Sequence, residues 1–285
     1  MRLKTILTLI MLSITSICFS DVIATANFSV QSELVDVGGY SLNFNITSGC
    51  GCVPTIIFEA GGGSDSSVWL TLSKAVSSQT GATTITYDRS GYGKSQANSA
   101  PYDITKEVEA LEQGLKQLKI NGQLVFVAHS YGGFLAALFA ARNPEQVGGI
   151  VLIDANLAPF TTDLRLNQIM KDYTKNRETI QNENPNLIRV LDAFEATVHT
   201  MRKVQFPTAI PIIDIVAEKP PFEAVEDTTA WKHTHKEFVQ SAANRKMVIA
   251  NDSGHFVMTD KPALVAVEIV SMVSQVRCSS TKNDN

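Results

Sequence analysis

Outside its first 20 residues, the sequence has no apolar run of the about 20 residues that a bilayer crossing takes. It also lacks an excess of positive charge, because 24 Lys and Arg are set against 28 Asp and Glu, for a net charge of −4. Proteins that bind nucleic acid usually carry basic patches. We therefore expect neither a stable membrane span in the mature chain nor a nucleic-acid partner.

Cysteine and histidine are scarce, at four and five residues in 285. A metal site needs several such ligands at short spacing, and no histidine pair here completes a set. His233 and His235 are better explained as an exposed polar stretch of a helix. The sequence thus predicts no metal site and no cofactor.

Three cysteines lie beyond the first 20 residues, namely Cys50, Cys52 and Cys278. An odd number leaves at least one thiol free or paired outside the chain. A bridge between Cys50 and Cys52 would close a strained ring, and a bridge from either one to Cys278 would tie down the C-terminus. The sequence does not decide between these pairings.

The first 20 residues read MRLKTILTLIMLSITSICFS, in which Arg2 and Lys4 precede an uncharged apolar run. Basic residues, a short apolar run and small residues before a cut are typical of a secretory signal peptide. We expect cleavage after Ser20 and a secreted or periplasmic mature protein, with an uncleaved N-terminal anchor as the alternative. About 260 residues then remain, enough for one large domain.

Short apolar, β-branched runs alternate with helical patterns along the rest of the chain, which is typical of a mostly parallel sheet. Residues 32–46 predict a hairpin that turns at Gly38 and Gly39. Six further strands are predicted at 54–59, 82–87, 122–128, 148–154, 210–217 and 246–250. Helices are predicted near 68–79, 104–118, 132–142 and 262–275. The expected fold class is α/β, with an eight-stranded, mostly parallel sheet flanked by helices.

Residues 156–207 interrupt this alternation with a long, polar and mainly helical stretch. Because the stretch is too long for a simple connection, we predict a helical lid inserted after the sixth strand, with ordinary surface helices as the alternative. The core domain would then comprise residues 21–155 and 208–285. Phe160 is one of several apolar lid residues that could bind substrate or pack the lid on the sheet.

The stretch FVAHSYGGF, residues 126–134, nearly spells G-x-S-x-G, the strand-to-helix turn that exposes a catalytic serine. Ala128 replaces the first glycine, but this crowded turn requires only a small side chain there. Ser130 follows a predicted strand and precedes a predicted helix, so it is the candidate nucleophile. His129 beside it is expected to line the substrate pocket or to pack against it.

The base that activates a serine nucleophile is usually a histidine. His255 lies in the stretch ANDSGHFVMTDKP, residues 250–262, after the last predicted strand and before the final predicted helix. A serine followed much later by a histidine is also the chain order of the strand-turn-helix type of site. We therefore predict that His255 is the base, and a buried packing histidine is the alternative.

The stretch EAGGGSDSSVW, residues 59–69, follows the third predicted strand and contains three consecutive glycines. Glycine lets the backbone approach a ligand closely, and backbone N–H groups stabilise the oxyanion of acyl transfer. We predict the N–H groups of Tyr131 and Gly62 as donors, with Gly63 next, and a plain flexible turn as the alternative. Trp69, at the end of the stretch, is expected to bind substrate.

The carboxylate that orients the histidine is the least determined residue of the candidate site. Asp154 ends the sixth predicted strand, beside the serine turn, so its carboxylate could reach the imidazole. Glu218 is the nearest acid after the seventh predicted strand, and Asp252 lies close to the histidine in the chain. We predict Asp154, with Glu218 as the alternative acid.

Together, the stretches VDVGGYSL, PTIIFEAGGGSDSSVW, YDRSGYGKS, VAHSYGG, VLIDA and SGHFVMTDKP resemble the α/β-hydrolase superfamily over nearly all of the mature chain. The closer likeness is to exported or soluble hydrolases of esterase type. In the related haloalkane dehalogenases the acid ends the sixth strand, which supports Asp154. Those enzymes use an aspartate nucleophile where this chain has Ser130, so the resemblance disfavours dehalogenase and epoxide hydrolase chemistry.

The residues and the resemblance together predict a serine hydrolase that cleaves carboxylic esters or related acyl compounds through an acyl-enzyme. Its expected partner is a small-molecule ester or acyl substrate. The alternatives are a cofactor-free haloperoxidase or a C–C bond hydrolase with the same triad, and a non-catalytic binding protein on the same scaffold. The sequence predicts neither the acyl chain length nor the oligomeric state.

Overall fold

The structure, a computed structural model, describes residues 29–283, and the side chains among them up to Val276. The predicted signal peptide at residues 1–20 and the side chain of Cys278 lie outside this described part. Between residues 29 and 283, no helix combines the length and the apolar character that crossing a membrane requires.

Eight strands form one sheet in the order β1-β2-β4-β3-β5-β6-β7-β8. They are β1 (Val30–Asp36), β2 (Ser41–Thr47), β3 (Thr55–Glu59), β4 (Thr84–Asp88), β5 (Leu124–His129), β6 (Val147–Ile153), β7 (Ile212–Ala217) and β8 (Arg245–Ala250). Strand β2 runs antiparallel to β1 and β4, and every other neighbouring pair is parallel. The predicted eight-stranded, mostly parallel sheet is confirmed.

The inner strands are apolar because both faces of the sheet are covered. Every residue of β4, β5 and β7 is buried, whereas β1 at the sheet edge is mostly exposed. Strands covered on both faces show continuous apolar runs instead of an apolar-polar alternation. This is why the sequence predicts them as short uninterrupted runs.

Helices pack on both faces of the sheet, as predicted. They are α1 (Leu70–Thr80), α2 (Ile104–Gln117), α3 (Gly132–Arg142), α4 (Asp163–Glu183), α5 (Pro185–Asp192), α6 (Phe194–Met201), α7 (Val225–Gln240), α8 (Val257–Asp260) and α9 (Pro262–Asn283). Helices α2, α3 and α6 pack on the face that contains Phe126 of β5. Helices α1, α8 and α9 pack on the opposite face, which contains Val125 and Val127.

Helix α7 corrects the expectation that His233 and His235 are both exposed. His233 is exposed and lies 3.2 Å from Glu237, whereas His235 is fully buried. Trp231 and His235 are four residues apart, so both face the inner side of the helix while His233 faces solvent. Inside, His235 Nδ1 lies 2.7 Å from the carboxylate of Asp214 on β7.

Helices α4 to α6 lie between β6 and β7, in the stretch 156–207 for which the sequence predicts a helical insertion. We refer to them as the insertion helices. Helix α4 is mostly exposed, and its buried residues are Leu166 and Tyr173. Val190 of α5 and Val198 of α6 are buried in the apolar cluster that also contains Phe126 of β5. The shorter two helices therefore pack against the rest of the protein.

Cys50 and Cys52 form a disulfide, which decides the pairing that the sequence leaves open. Their Cα atoms lie 5.5 Å apart. Gly51 between them has a φ of +71°, a left-handed conformation that glycine adopts without steric cost. The bridge closes a small ring in the connection between β2 and β3.

The turn from β5 into α3 is tightly packed. A Cβ atom built on Gly132 would lie 2.8 Å from the carbonyl oxygen of Glu59 and 2.9 Å from that of Ala60. Backbone oxygens at the end of a strand cannot move aside as a flexible side chain can. Gly122, in the loop before β5, has nothing within 4 Å of the same position.

We expect Gly132→Ala to lower the free energy of unfolding by about 1–3 kcal/mol, because the added methyl group overpacks the turn. Gly122→Ala is the matched control and should stay within about 0.5 kcal/mol of the wild type. Urea denaturation followed by circular dichroism measures both values. Equal effects of the two substitutions would show that close packing at Gly132 does not constrain the turn.

Candidate active site

Two turns at the carboxyl ends of neighbouring strands carry Ser130 and Asp154. Ser130 directly follows β5, and Asp154 directly follows β6. The parallel pairing of β5 with β6 places His129 opposite Ile153, so the two turns lie side by side. Ser130 and Asp154 have φ values of +52° and +42°. Non-glycine residues rarely adopt this conformation, and such strain is concentrated at functional sites.

His255 connects these two residues from the loop between β8 and α8. Its Nε2 lies 2.9 Å from Ser130 Oγ, and its Nδ1 lies 2.6 Å from Asp154 Oδ2. An ionised carboxylate can only accept hydrogen bonds, so Nδ1 carries the proton and Nε2 presents its lone pair to the serine hydroxyl. The structure thus places the predicted base within hydrogen-bond distance of both the predicted nucleophile and the predicted acid.

Asp154 lies in a fully buried position. Its Oδ1 accepts hydrogen bonds from the Ala217 N–H at 3.2 Å and from the Trp231 indole N–H at 2.8 Å. With His255 on Oδ2, three donors compensate the carboxylate for its lost hydration. The sequence does not reveal Trp231 as a site residue, because a tryptophan on the inner face of a helix is usually part of the core.

Glu218, the alternative acid, is directed elsewhere. Its Oε2 accepts the backbone N–H of Asp252 at 2.5 Å, within the turn that leads from β8 toward His255. Asp252 has a φ of +55°, which is rare for a residue other than glycine. The hydrogen bond from its N–H to Glu218 therefore stabilises this turn. The structure therefore brings Asp154, and not Glu218, to the histidine.

Arg89 forms hydrogen bonds with backbone carbonyl groups of residues 60–63, which we call the glycine loop. Arg89 Nη1 donates to the Ala60 carbonyl at 2.6 Å, and Nη2 donates to the Gly61 carbonyl at 2.5 Å. No peptide bond in the described part of the chain is cis, so each N–H points opposite to the carbonyl of its own peptide unit. The N–H of Gly62 therefore points away from Arg89.

A buried ion pair positions Arg89. Its Nη1 lies 2.7 Å from Glu59 Oε1, and both side chains are almost fully buried. The Tyr87 hydroxyl donates to the other oxygen of the same carboxylate. Burial disfavours the charged guanidinium, but the Glu59 carboxylate outweighs this and raises the pKa of Arg89 above its ordinary value. The glycine loop is thus bound to a permanent charge.

Gly62 lies against Tyr131, the residue after Ser130. A Cβ atom on Gly62 would be 3.5 Å from the Cβ of Tyr131. Among residues 29–283, neither the Gly62 N–H nor the Tyr131 N–H has a hydrogen-bond acceptor. Gly63 contacts the insertion helices instead, since its carbonyl accepts a hydrogen bond from the Asn184 side chain at 3.2 Å. Two free backbone donors therefore lie beside the serine.

A cavity of about 430 Å³ opens on Ser130 and His255. Its apolar wall is formed by Leu187, Val190, Leu191, Phe194 and Phe256. Its polar lining includes the uncharged side chains of Ser64, Asn156 and Asn184. No Asp, Glu, Lys or Arg of the described chain belongs to the lining. The cavity therefore favours an uncharged ligand.

The insertion helices are hydrogen-bonded to the loops around this cavity. The Tyr92 hydroxyl lies 2.5 Å from the Gly62 carbonyl oxygen and 2.8 Å from the Asn186 carbonyl oxygen in the first turn of α5. Arg189, also on α5, donates to the Ala100 carbonyl at 3.1 Å. Helix α5 is therefore bridged to the glycine loop by the Tyr92 hydroxyl, whose single proton the two carbonyl oxygens share.

Of the three residues predicted to bind substrate, His129 lines the cavity, but Trp69 and Phe160 do not. Trp69 is fully buried and packs on Phe58, with ring centroids 5.3 Å apart. Phe160 packs on Trp231 at 4.8 Å, with the rings nearly perpendicular. The prediction is corrected for these two aromatic residues, which fill the protein interior instead of facing the cavity.

His129 is buried beside the rings of His255 and Phe256, with centroid distances of 4.6 and 5.2 Å. Its Nε2 lies 3.0 Å from the backbone carbonyl oxygen of His255, so Nε2 carries the proton. Burial, with the nearby His255 adding to it, lowers the pKa of His129 to about 3. His129 is therefore neutral at ordinary pH.

Comparison with known sequences shows which proteins the chain resembles. Residues 54–247, more than half of the chain, match a family model described as alpha/beta hydrolase fold. The uncharacterised protein YqjL of Bacillus subtilis (strain 168) is 24% identical over 215 residues, which cover 75% of this chain and 81% of YqjL. The sn-1-specific diacylglycerol lipase ABHD11 of Mus musculus is 30% identical over 129 residues, which cover 44% of this chain and 40% of the lipase.

Solved structures show the same architecture. The esterase EaEST from Exiguobacterium antarcticum matches with a TM-score of 0.63 and 18% sequence identity, over 85% of this chain and 98% of the esterase. At that identity the likeness establishes the fold, with its eight-stranded sheet flanked by helices.

We expect His129 to make the protein less stable in acid. Its pKa of about 3 in the folded chain lies below the ordinary 6.5, so below that pH the unfolded chain binds a proton that the folded chain does not. The free energy of unfolding should fall between pH 6.5 and 3, with this group contributing up to about 1.4 kcal/mol per pH unit. Above pH 6.5, His129 does not make the free energy of unfolding depend on pH.

Urea unfolding at about pH 7, 6 and 5 measures this slope. The comparison variant is His129→Gln, whose neutral amide can still donate to the His255 carbonyl. The free energy of unfolding of His129→Gln should depend less steeply on pH than that of the wild type, by the contribution of one proton. Identical slopes in the two proteins would contradict the assignment of a buried, neutral His129.

Proposed function

The chain belongs to the alpha/beta-hydrolase family, and on that basis we propose that it is a serine hydrolase that cleaves carboxylic esters or related acyl compounds. The observation that carries the proposal is the position of His255, within hydrogen-bond distance of both Ser130 and Asp154. The partial likeness to a diacylglycerol lipase supports ester bonds as the substrate class.

In this proposal the reaction begins with the serine hydroxyl. His255 Nε2 takes the proton of Ser130 Oγ as the oxygen attacks the carbonyl carbon of the ester. The carbonyl oxygen becomes an oxyanion, and the N–H groups of Gly62 and Tyr131 donate hydrogen bonds to it. When the tetrahedral intermediate collapses, the imidazolium gives its proton to the leaving alcohol and the acyl group stays on the serine.

Water then completes the cycle. His255 removes a proton from a water molecule that attacks the acyl-enzyme, and a second oxyanion forms in the same place. Collapse of this intermediate breaks the bond to Ser130 Oγ, which takes the proton back from the imidazolium. The products are a carboxylic acid and an alcohol, and the enzyme returns to its starting state.

Asp154 has two roles in both halves of this cycle. Its hydrogen bond to Nδ1 holds the imidazole in the tautomer whose Nε2 can accept a proton. Its negative charge also stabilises the imidazolium that forms in each half-reaction. Because the carboxylate is fully buried, little water screens this attraction, and a small change in its position would alter the rate strongly.

The lining of the cavity supports an uncharged substrate. Peptides with a free amino terminus, or acids with a free carboxylate near the reacting bond, would need a charged partner, which the described lining does not offer. The apolar wall made by α5, α6 and Phe256 suits a hydrocarbon acyl or alcohol group. The insertion helices would then act as the lid of the site.

Export from the cytoplasm is also part of the proposal. The apolar stretch after Arg2 and Lys4 supports a signal peptide that is cleaved after Ser20. The Cys50–Cys52 disulfide supports an oxidising compartment, since such bridges are rare in the cytosol.

We expect Ser130→Ala to lower kcat/KM for p-nitrophenyl esters by at least about a thousandfold, because the nucleophile is lost. A fluorophosphonate probe should label the wild type and leave Ser130→Ala unlabelled. The matched control is Ser274→Ala, which removes an exposed hydroxyl on α9 that bonds only to its own helix. A Ser130→Ala protein with full esterase activity would overturn the proposal.

The same wild-type and variant proteins separate the rival reactions. A panel of esters of increasing acyl length, together with amides, lactones and diketones, should give the highest Ser130-dependent kcat/KM on an ester. A higher value on a diketone would indicate a C–C bond hydrolase. Absence of labelling and of all turnover would indicate a binding protein.

We expect Asp154→Asn to lower kcat by about a thousandfold to ten-thousandfold, because the amide no longer enforces the working tautomer of His255. Glu218→Gln should change kcat by less than about tenfold, since Glu218 only supports the Asp252 turn. Steady-state kinetics on one ester measure both variants. A larger loss in Glu218→Gln would show that the acid has been assigned wrongly.

A further inference from the structure

We infer that Trp231 is a positioning residue for Asp154: its indole N–H binds one carboxylate oxygen and so directs the other toward His255. The inference rests on the proposed function, in which Asp154 orients the catalytic histidine. Trp231 lies on α7, 77 residues beyond Asp154 in the chain, and it does not line the catalytic cavity.

The two oxygens of the Asp154 carboxylate have different partners. Oδ2 lies 2.6 Å from His255 Nδ1, while Oδ1 lies 2.8 Å from Trp231 Nε1. The Ala217 N–H also reaches Oδ1, at the longer distance of 3.2 Å. A carboxylate is free to rotate about its Cβ–Cγ bond unless both ends are bound. The shorter, side-chain hydrogen bond from the indole therefore does most to set its orientation.

The indole is held so that its single polar atom meets the carboxylate. Phe160 packs on Trp231 at a centroid distance of 4.8 Å, with the rings at 87°, and Phe222 packs on it at 5.3 Å. Trp231 is 3% exposed, so its ring is enclosed by these neighbours. The N–H is thus directed at Asp154 before any substrate binds.

A second buried pair supports the indole from the other side. The His235 ring lies 4.8 Å from the Trp231 ring, and His235 Nδ1 lies 2.7 Å from Asp214 Oδ2. Burial opposes a charge on His235, but the Asp214 carboxylate outweighs it and raises the pKa of His235 above its ordinary value. This contact joins α7 to β7 one helical turn beyond Trp231, so it sets where the indole N–H lies along the sheet.

The indole N–H also affects the charge that His255 experiences. A donor on Oδ1 withdraws part of the negative charge from the carboxylate. Without it, more charge would remain on Oδ2, and the protonated form of His255 would be favoured over the neutral base. Only the longer hydrogen bond from the Ala217 N–H would then hold Oδ1, so the carboxylate would be less firmly oriented. Loss of the donor should therefore slow the reaction and move the acidic limb of the kcat/KM profile to higher pH.

Two substitutions separate the hydrogen bond from the packing. Trp231→Phe keeps an aromatic ring and removes the donor. Trp231→His keeps a ring N–H, because imidazole Nε2 occupies the ring position equivalent to indole Nε1, and it removes bulk. If Trp231 positions Asp154, Trp231→Phe should lose more activity than Trp231→His. If the residue only fills space, the order should be reversed.

We expect Trp231→Phe to lower kcat/KM on an ester by about tenfold to a hundredfold, the range that hydrogen bonds to charged groups represent. The loss should appear mainly in kcat, since Trp231 does not touch the cavity. The acidic limb of the profile should also move to higher pH. Rates are divided by the concentration of sites that a fluorophosphonate titrates, so a misfolded fraction does not count as lost activity.

Phe222→Leu is the packing control. It replaces one aromatic neighbour of Trp231 by an aliphatic side chain, while Phe160 and the His235–Asp214 pair still hold the indole and its N–H in place. It should lower thermal stability without moving the acidic limb. An equal shift of the limb in Phe222→Leu would show that packing alone is responsible.

Proton NMR gives a readout that does not need turnover. The His255 Nδ1–H in its hydrogen bond to Asp154 should give a far-downfield resonance, and this resonance should move or broaden in Trp231→Phe but not in Phe222→Leu. An unchanged resonance, with kcat/KM per titrated site within twofold of the wild type, would overturn the inference. Failure of the proposed function would give a different result. The wild type would then neither react with the fluorophosphonate nor hydrolyse esters, while the His255 resonance would still respond to Trp231→Phe.

Discussion

The negative charge of Asp154 has to be compensated where water does not reach, and three separate parts of the chain are arranged around that requirement. The backbone of β7 supplies one donor, α7 supplies the indole of Trp231, and the loop after β8 supplies His255. An uncompensated charge in this position would cost several kcal/mol. Correct docking of all three elements is therefore coupled to the geometry of the candidate catalytic residues.

A second buried charge organises the opposite side of the cavity. Arg89 is bound by Glu59 and in turn binds the carbonyl groups of the glycine loop. Three consecutive glycines would otherwise sample many conformations. Their small size admits a ligand, while the guanidinium restricts the backbone to one orientation. Asp154 and Arg89 thus set the proposed base and the proposed oxyanion donors independently, on either side of Ser130.

The sequence predicts the eight strands because each inner strand is a short apolar run covered on both faces. Ser130, His255 and Asp154 are predicted because their residue types and chain order are tied to strand ends, and the structure brings these three together. Trp231 and the inward-facing His235 are not predicted, since their partners lie on other elements and a single polar atom on an aromatic ring leaves no periodic pattern. The sequence predicts that Trp69 binds substrate, but its large apolar surface is buried against Phe58.

The hydroxyl of Tyr92 lies between the carbonyl groups of Gly62 and Asn186, and so it joins the glycine loop to α5. Any opening of α5 that admits a bulkier molecule would pull on the backbone that holds the proposed oxyanion donors. For the proposed esterase, a broad substrate range and fast turnover are therefore competing properties. Laboratory selection for larger esters would be expected to alter the region around Tyr92, and to need compensating changes near Arg89 before speed is recovered.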